Sequence, residues 1–94
     1  MYKDEINLWL QVLDRYPNDY LAHHSVGALS VKMGDDAAGI AHYREATRLN
    51  PKAAQAHYAL GLLLKKQGEF DEAITHFLAA ARLDRVKGIY DYLE

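Results

Sequence analysis

The sequence predicts an all-α fold of antiparallel helix pairs, on three observations. Apolar residues recur three and four apart along almost the whole chain, the spacing of a helix face rather than the alternation of a strand. Turn residues at Pro17-Asn18-Asp19, Gly34-Asp35, Asn50-Pro51 and Gly68 divide it into segments of helical length. The chain also matches itself at an offset of 34 residues.

Taken in order, Ile6, Trp9, Leu10 and Leu13 form one face of a first helix, ended by Tyr16-Pro17-Asn18-Asp19. Asp19 or Asn18 is a good N-cap for a second helix over about residues 20–33, carrying Ala22, Val26, Leu29 and Met33. Gly34 stops it, as a left-handed residue commonly does. A third helix over 36–49 holds Ile40, Tyr43, Ala46 and Leu49 and ends at Asn50-Pro51. The fourth, over 54–67, stops at Gly68, and the fifth, over 70–83, carries Ile74, Phe77 and Ala80. In the closing "RVKGIYDYLE", Ile89, Tyr92 and Leu93 keep helical spacing, but Gly88 also suits the end of the fifth helix, and both readings stand.

At 94 residues the chain makes one domain at most, marginal in burial unless its packing is regular. A formal net charge of −2 argues against nucleic acid as a partner, which calls for a basic excess. No apolar run approaches the roughly 20 residues of a membrane span, so direct membrane insertion is not expected. Met1-Tyr2-Lys3-Asp4 does not begin a signal peptide. The compartment stays unknown, with the cytoplasm as default, and the absence of cysteine leaves the redox setting open.

Shifted by 34, Pro17 falls on Pro51, Ala22 on Ala56, His23 on His57 and Gly27 on Gly61, while Gly34, Ile40, His42, Ala46 and Leu49 fall on Gly68, Ile74, His76, Ala80 and Leu83. Period and motif resemble the tetratricopeptide repeat, W-x2-L-G-x2-Y then A-x3-F then P. Leu60-Gly61 and Ala73-x3-Phe77 supply its pairs in one unit, and Val26-Gly27, Tyr43, Ala46 and Pro51 in the other. His23 and His57 replace the tryptophan, Ser30 and Leu64 the tyrosine, Gly39 the usual alanine and Arg85 the second proline. The resemblance implies helix-turn-helix repeats stacked as a right-handed superhelical α-solenoid. It divides the single domain into the second helix of a partial leading repeat (1–19), two full repeats (20–53 and 54–87) and the start of a further truncated repeat (88–94). The chain thus begins and ends mid-unit, which points to a piece of a longer array.

In this fold the first helix of a unit crosses the second closely, so Gly61 is expected against Ala73 and Gly27 against Gly39. A crossing of two glycines with no methyl between them predicts that Gly39→Ala stabilises by about 0.5–1 kcal/mol through helix propensity. The third helix is accordingly expected to be the least protected full helix.

Chemistry-bearing motifs are scarce, and no enzyme is expected. No phosphate-cradling glycine loop or nucleophile elbow occurs. Asp35-Asp36 and Asp71-Glu72 follow turn glycines closely and read as charge at helix N-termini. The five histidines show no H-x-x-x-H pair, and those related by the repeat would lie on neighbouring helices 8–10 Å apart, too far to share a zinc ion. No metal and no cofactor are therefore expected.

What remains is a recognition surface on the inner face, lined by the first helix of each unit. The resemblance places Leu21, His24, Ala28, Val31 and Lys32 there from one unit, and Gln55, Tyr58, Leu62, Lys65 and Lys66 from the next. It implies a non-catalytic interaction module that binds a protein or peptide segment, acidic and with an apolar anchor. The carboxylate clamp with which some members grip chaperone tails is absent, since its places hold His24, Ala28, Ala59, Ile89 and Leu93. The alternative is an assembly element with weak head-to-tail self-association, the apolar Ile89, Tyr90, Tyr92 and Leu93 of one copy meeting the leading helix of another. "LWLQVLDRYPNDYLAHHSVG" is also similar to the leading segment of repeat arrays in some membrane glycosyltransferase-like proteins, so the larger protein of this alternative includes a membrane-attached one.

Overall fold

A computed structural model describes the backbone of residues 2–93 and the side chains of residues 2–84. Five helices follow one another: α1 (Tyr2–Arg15), α2 (Tyr20–Lys32), α3 (Asp36–Leu49), α4 (Ala54–Lys66) and α5 (Phe70–Leu93). The closest packing is α2 on α3 and α4 on α5, with α1 laid on α2 and α3 joined to α4. None of the described helices is long and apolar enough to cross a membrane.

The helix ends follow from local chemistry. Asp19 caps α2 by accepting from the Ala22 N–H at 2.9 Å, and Asp35 caps α3 by accepting from Ala38 N–H at 3.1 Å. The α2–α3 and α4–α5 turns are the same object made twice. Gly34 and Gly68 sit at φ +86° and +85°, where side chains with a Cβ are strained. Asp35 N–H then reaches back to the Ser30 carbonyl and Glu69 N–H to that of Leu64, both at 2.8 Å, closing Schellman-type turns.

The core runs through the pairs. Tyr43, Leu60, Leu63, Leu64 and Ala73 form one buried cluster, and Ala46, Ala53 and Ala56 a second, against which Tyr20 packs. Ala22, Ala46 and Ala56 have no exposed surface, which marks where helices come closest. No residue of α1 is buried: Ile6, Trp9 and Leu13 are half-buried and Leu10 is exposed.

Two glycine contacts differ from expectation. A methyl on Gly61 meets the Phe77 ring first, 2.8 Å from its Cε1, a neighbour the spacing did not predict. Side chains lean toward the N-terminus of their helix, so a ring one turn beyond Ala73 is drawn back over the crossing. Gly27 does face Gly39, with the Gly39 carbonyl 3.4 Å from a methyl built on Gly27 and the Tyr43 ring at 3.3 Å. Gly39 itself has no spare room. A methyl there lies 2.6 Å from Val31 Cγ2 and 3.3 Å from Leu63 Cδ1, so the predicted gain from Gly39→Ala is overturned. The crossing that lacks a methyl on both helices is filled by Val31 instead.

The C-terminal segment is the other departure. Residues 88–93 continue α5 rather than begin a further helix. The reason lies 34 residues earlier, where Asn50-Pro51 ends α3. The matching positions are Asp84 and Arg85, which can both extend a helix, and Gly88 alone costs only about 1 kcal/mol. The expected apolar patch at Ile89, Tyr90, Tyr92 and Leu93 lies outside the described side chains.

Candidate peptide groove and paired histidines

α2 and α4 are the first helices of the two pairs, and all ten expected groove positions lie on them. The structure separates these residues into three groups. Leu21, Gln55, Tyr58, Leu62 and Lys65 are exposed, with Tyr58 55% and Leu62 44% accessible despite their apolar surface. Ala28 and Val31 pack against the core cluster, so they form the wall beneath the surface more than the surface itself. His24, Lys32 and Lys66 are engaged by neighbours. The His24 ring meets Tyr43 edge-on with centroids 5.4 Å apart, and burial pushes its pKa down. Lys32 Nζ lies 5.6 Å from the centre of the Tyr2 ring, a cation–π contact with α1. Lys66 donates to Asp36 at 2.8 Å, bridging α4 to α3. Lys65 has no ion-pair partner among the described residues.

Tyr58 leans on Phe77 with ring centroids 5.7 Å apart, the image one repeat later of His24 on Tyr43. Beside it a shallow depression is lined by Ala54, Gln55, Tyr58 and Asp84. Asp84 was not among the expected positions, because a fifth helix ending at Leu83 does not carry it there. The missing proline at Arg85 was the signal.

The histidines pair within each unit, not between units. His23 and His42 face each other with Nδ1 atoms 3.1 Å apart, and His57 and His76 do the same at 3.0 Å. His23 Nε2–H donates to the Pro17 carbonyl at 2.7 Å, and His57 Nε2–H to the Pro51 carbonyl at 2.9 Å. Each pair therefore ties the opening turn of one helix to its partner and to the preceding loop. The expected separation of 8–10 Å between helix axes held no information about two long side chains reaching toward each other. Among the described residues no three His, Cys, Asp or Glu side chains gather as a metal site needs.

The carboxylates hold structural places. Asp35 is a cap, Asp36 pairs with Lys66, and Glu72 accepts from both terminal nitrogens of Arg44 in α3. Glu72 also stands 3.6 Å from His76 Nε2.

The sequence profile of the tetratricopeptide repeat matches residues 29–86, well over half of the chain. The chain belongs to the tetratricopeptide repeat family. Solved structures of MamA share the fold of this tetratricopeptide repeat protein. One, a double mutant of the RS-1 protein, is 23% identical over 92% of this chain and 48% of its own length, with a TM-score of 0.86. A second is 21% identical over 95% of this chain and 52% of its own, with a TM-score of 0.87. A third, MamA of AMB-1, is 24% identical over 89% and 46%, with a TM-score of 0.82. The chain thus spans about half the length of these structures. Curated proteins give no match. As a tetratricopeptide repeat array the chain is a protein-interaction scaffold, built on a fold that is typically non-catalytic.

Proposed function

We propose that the chain acts without catalysis and binds a peptide or helical segment along α2 and α4. The observation that carries this is the exposed Leu21, Tyr58 and Leu62 beside Lys65, which has no ion-pair partner among the described residues, on the helices that open each pair. Tyr58 is an amphipathic anchor held by Phe77, of the kind that dominates small interfaces. The charge preference is for an acidic segment, and it narrows to Lys65 at the centre, because Asp36 already neutralises Lys66 and Tyr2 occupies Lys32. A short acidic peptide with one phenylalanine, titrated while backbone amide signals are followed, tests the reading. Perturbation should centre on residues 55–65 and weaken with salt, since exposed charge is screened beyond about 8–10 Å at physiological ionic strength. Perturbation confined to the outer side of α5, or unchanged in Lys65→Glu, overturns it.

A second reading, assembly, has its own observation. Ile40 packs against the core where α3 meets α4, but its repeat image Ile74 is 54% exposed on α5, with Phe70 and Leu78 exposed four residues to either side. This face is proposed to continue the array or to meet another copy weakly. Sedimentation of Ile74→Asp with Leu78→Asp tests it, and self-association equal to the parent's overturns it.

A further inference from the structure

We propose that the two histidine pairs are proton-operated latches. Each closes its helix pair when it carries one proton between its facing nitrogens, and opens when both rings are charged. The argument starts from the loop carbonyls, which only accept. Pro17 and Pro51 therefore fix the proton on Nε2 of His23 and His57. In a neutral ring this leaves Nδ1 as a bare acceptor, and the facing Nδ1 of His42 or His76 must supply the hydrogen. The two rings of each pair are thus held as opposite tautomers.

The ring centroids, 5.4 and 5.2 Å apart, are separated by nearly the full nitrogen gap plus the two ring radii, the greatest separation that gap allows, so the nitrogens meet head-on. That is the geometry of one shared hydrogen, and it leaves no angle for an ion bound by both rings. A second hydrogen between atoms 3.0 Å apart cannot be accommodated, so a doubly charged pair must separate. The latch occurs twice, in the same register and with the equivalent loop carbonyl, because the repeat carries both histidines and the proline in each unit.

The charged surroundings differ between the copies. Glu45 on α3 bears on the first pair. On the second, Glu72 of α5 stands 3.6 Å from His76 Nε2 and is itself held by Arg44 of α3. The second latch is thereby wired to the preceding helix pair through the chain Pro51, His57, His76, Glu72, Arg44. Burial and the partner ring both push the His42 and His76 pKa values down, against the pull of these carboxylates. α2 and α4 begin at the latches, so opening would also tilt the proposed groove helices; that last consequence rests on the groove reading, while the latch itself does not.

Two measurements on the whole chain test this without any ligand. Nitrogen-15 spectra of the imidazoles at pH 7.5 should show the Nε2–H tautomer for His23 and His57 and the Nδ1–H tautomer for His42 and His76. One common tautomer across a pair overturns the proposal, whatever any variant does. Thermal melts from pH 7.5 to 5.0 should then show the melting temperature falling by at least ~5 °C, the scale of one lost interaction in a domain this size. In His42→Asn with His76→Asn an amide donor replaces the ring and cannot be charged, so the fall should shrink to under half, with His24 as the unchanged background. An equal fall in parent and variant overturns the latch.

Discussion

Gly39 shows how a single hydrogen in place of a methyl organises three helices. Val31 of α2 and Leu63 of α4 both reach the space over it, and Val31 cannot retreat easily because a β-branched side chain is nearly locked at χ1 in a helix. Gly39→Ala should therefore destabilise by about 1–2 kcal/mol, overpacking outweighing the propensity gain. Combining it with Val31→Ala should restore part of the loss, and chemical denaturation of the single and double variants measures the coupling. Gly61→Ala should likewise cost stability against the Phe77 ring, with Phe77→Leu relieving it. The sequence showed that these glycines were there for close approach. It did not show what approached, because a ring leaning back one turn and a valine from the same helix as Gly27 are matters of side-chain direction, not of spacing.

At the scale of the elements, the two copies divide their labour unevenly. Asp19 caps α2, but its image Ala53 caps nothing at the start of α4 and instead packs with Ala46 and Ala56. Asp19→Ala should cost about 1 kcal/mol by denaturant unfolding, the usual worth of a cap. Ala53→Asp should gain nothing, since its carboxylate would enter that cluster of small residues. Helix limits, caps and turn glycines were legible to within a residue or so, as each rests on local chemistry. The end of α5 was legible only in part: the absent proline was noticed, yet a glycine three residues later suggested a stop that a helix can bear. Arg85→Pro should end α5 near residue 84 and remove the helical circular dichroism of the residues beyond it. The histidine pairs leave no mark at spacings of 4 and 34. Their separation is 19, and so is that of His24 from Tyr43 and of Tyr58 from Phe77, the facing register of an antiparallel pair at that height.

Over the whole molecule, repetition supplies the fold and departure from it supplies the individuality. Lys66 to Asp36 and Arg44 to Glu72 bind one helix pair to the next; one repeat earlier the first becomes the cation–π contact of Lys32 with Tyr2, while the second falls on the apolar Leu10 and Ala38. The Arg44–Glu72 bridge is largely exposed and contributes at most about 1 kcal/mol, so Arg44→Leu should lower stability only slightly. Averaging the two copies shows what the Val31 and Gly39 contact entails. Where α2 has valine facing glycine, the second pair has Lys65 exposed and Ala73 buried, so the bulk has moved from one helix to the other. A designer who fused the most apolar choice at each place would write valine and alanine together, the one combination that collides. The two positions are inherited as a matched set, and either unit can be duplicated intact but not blended.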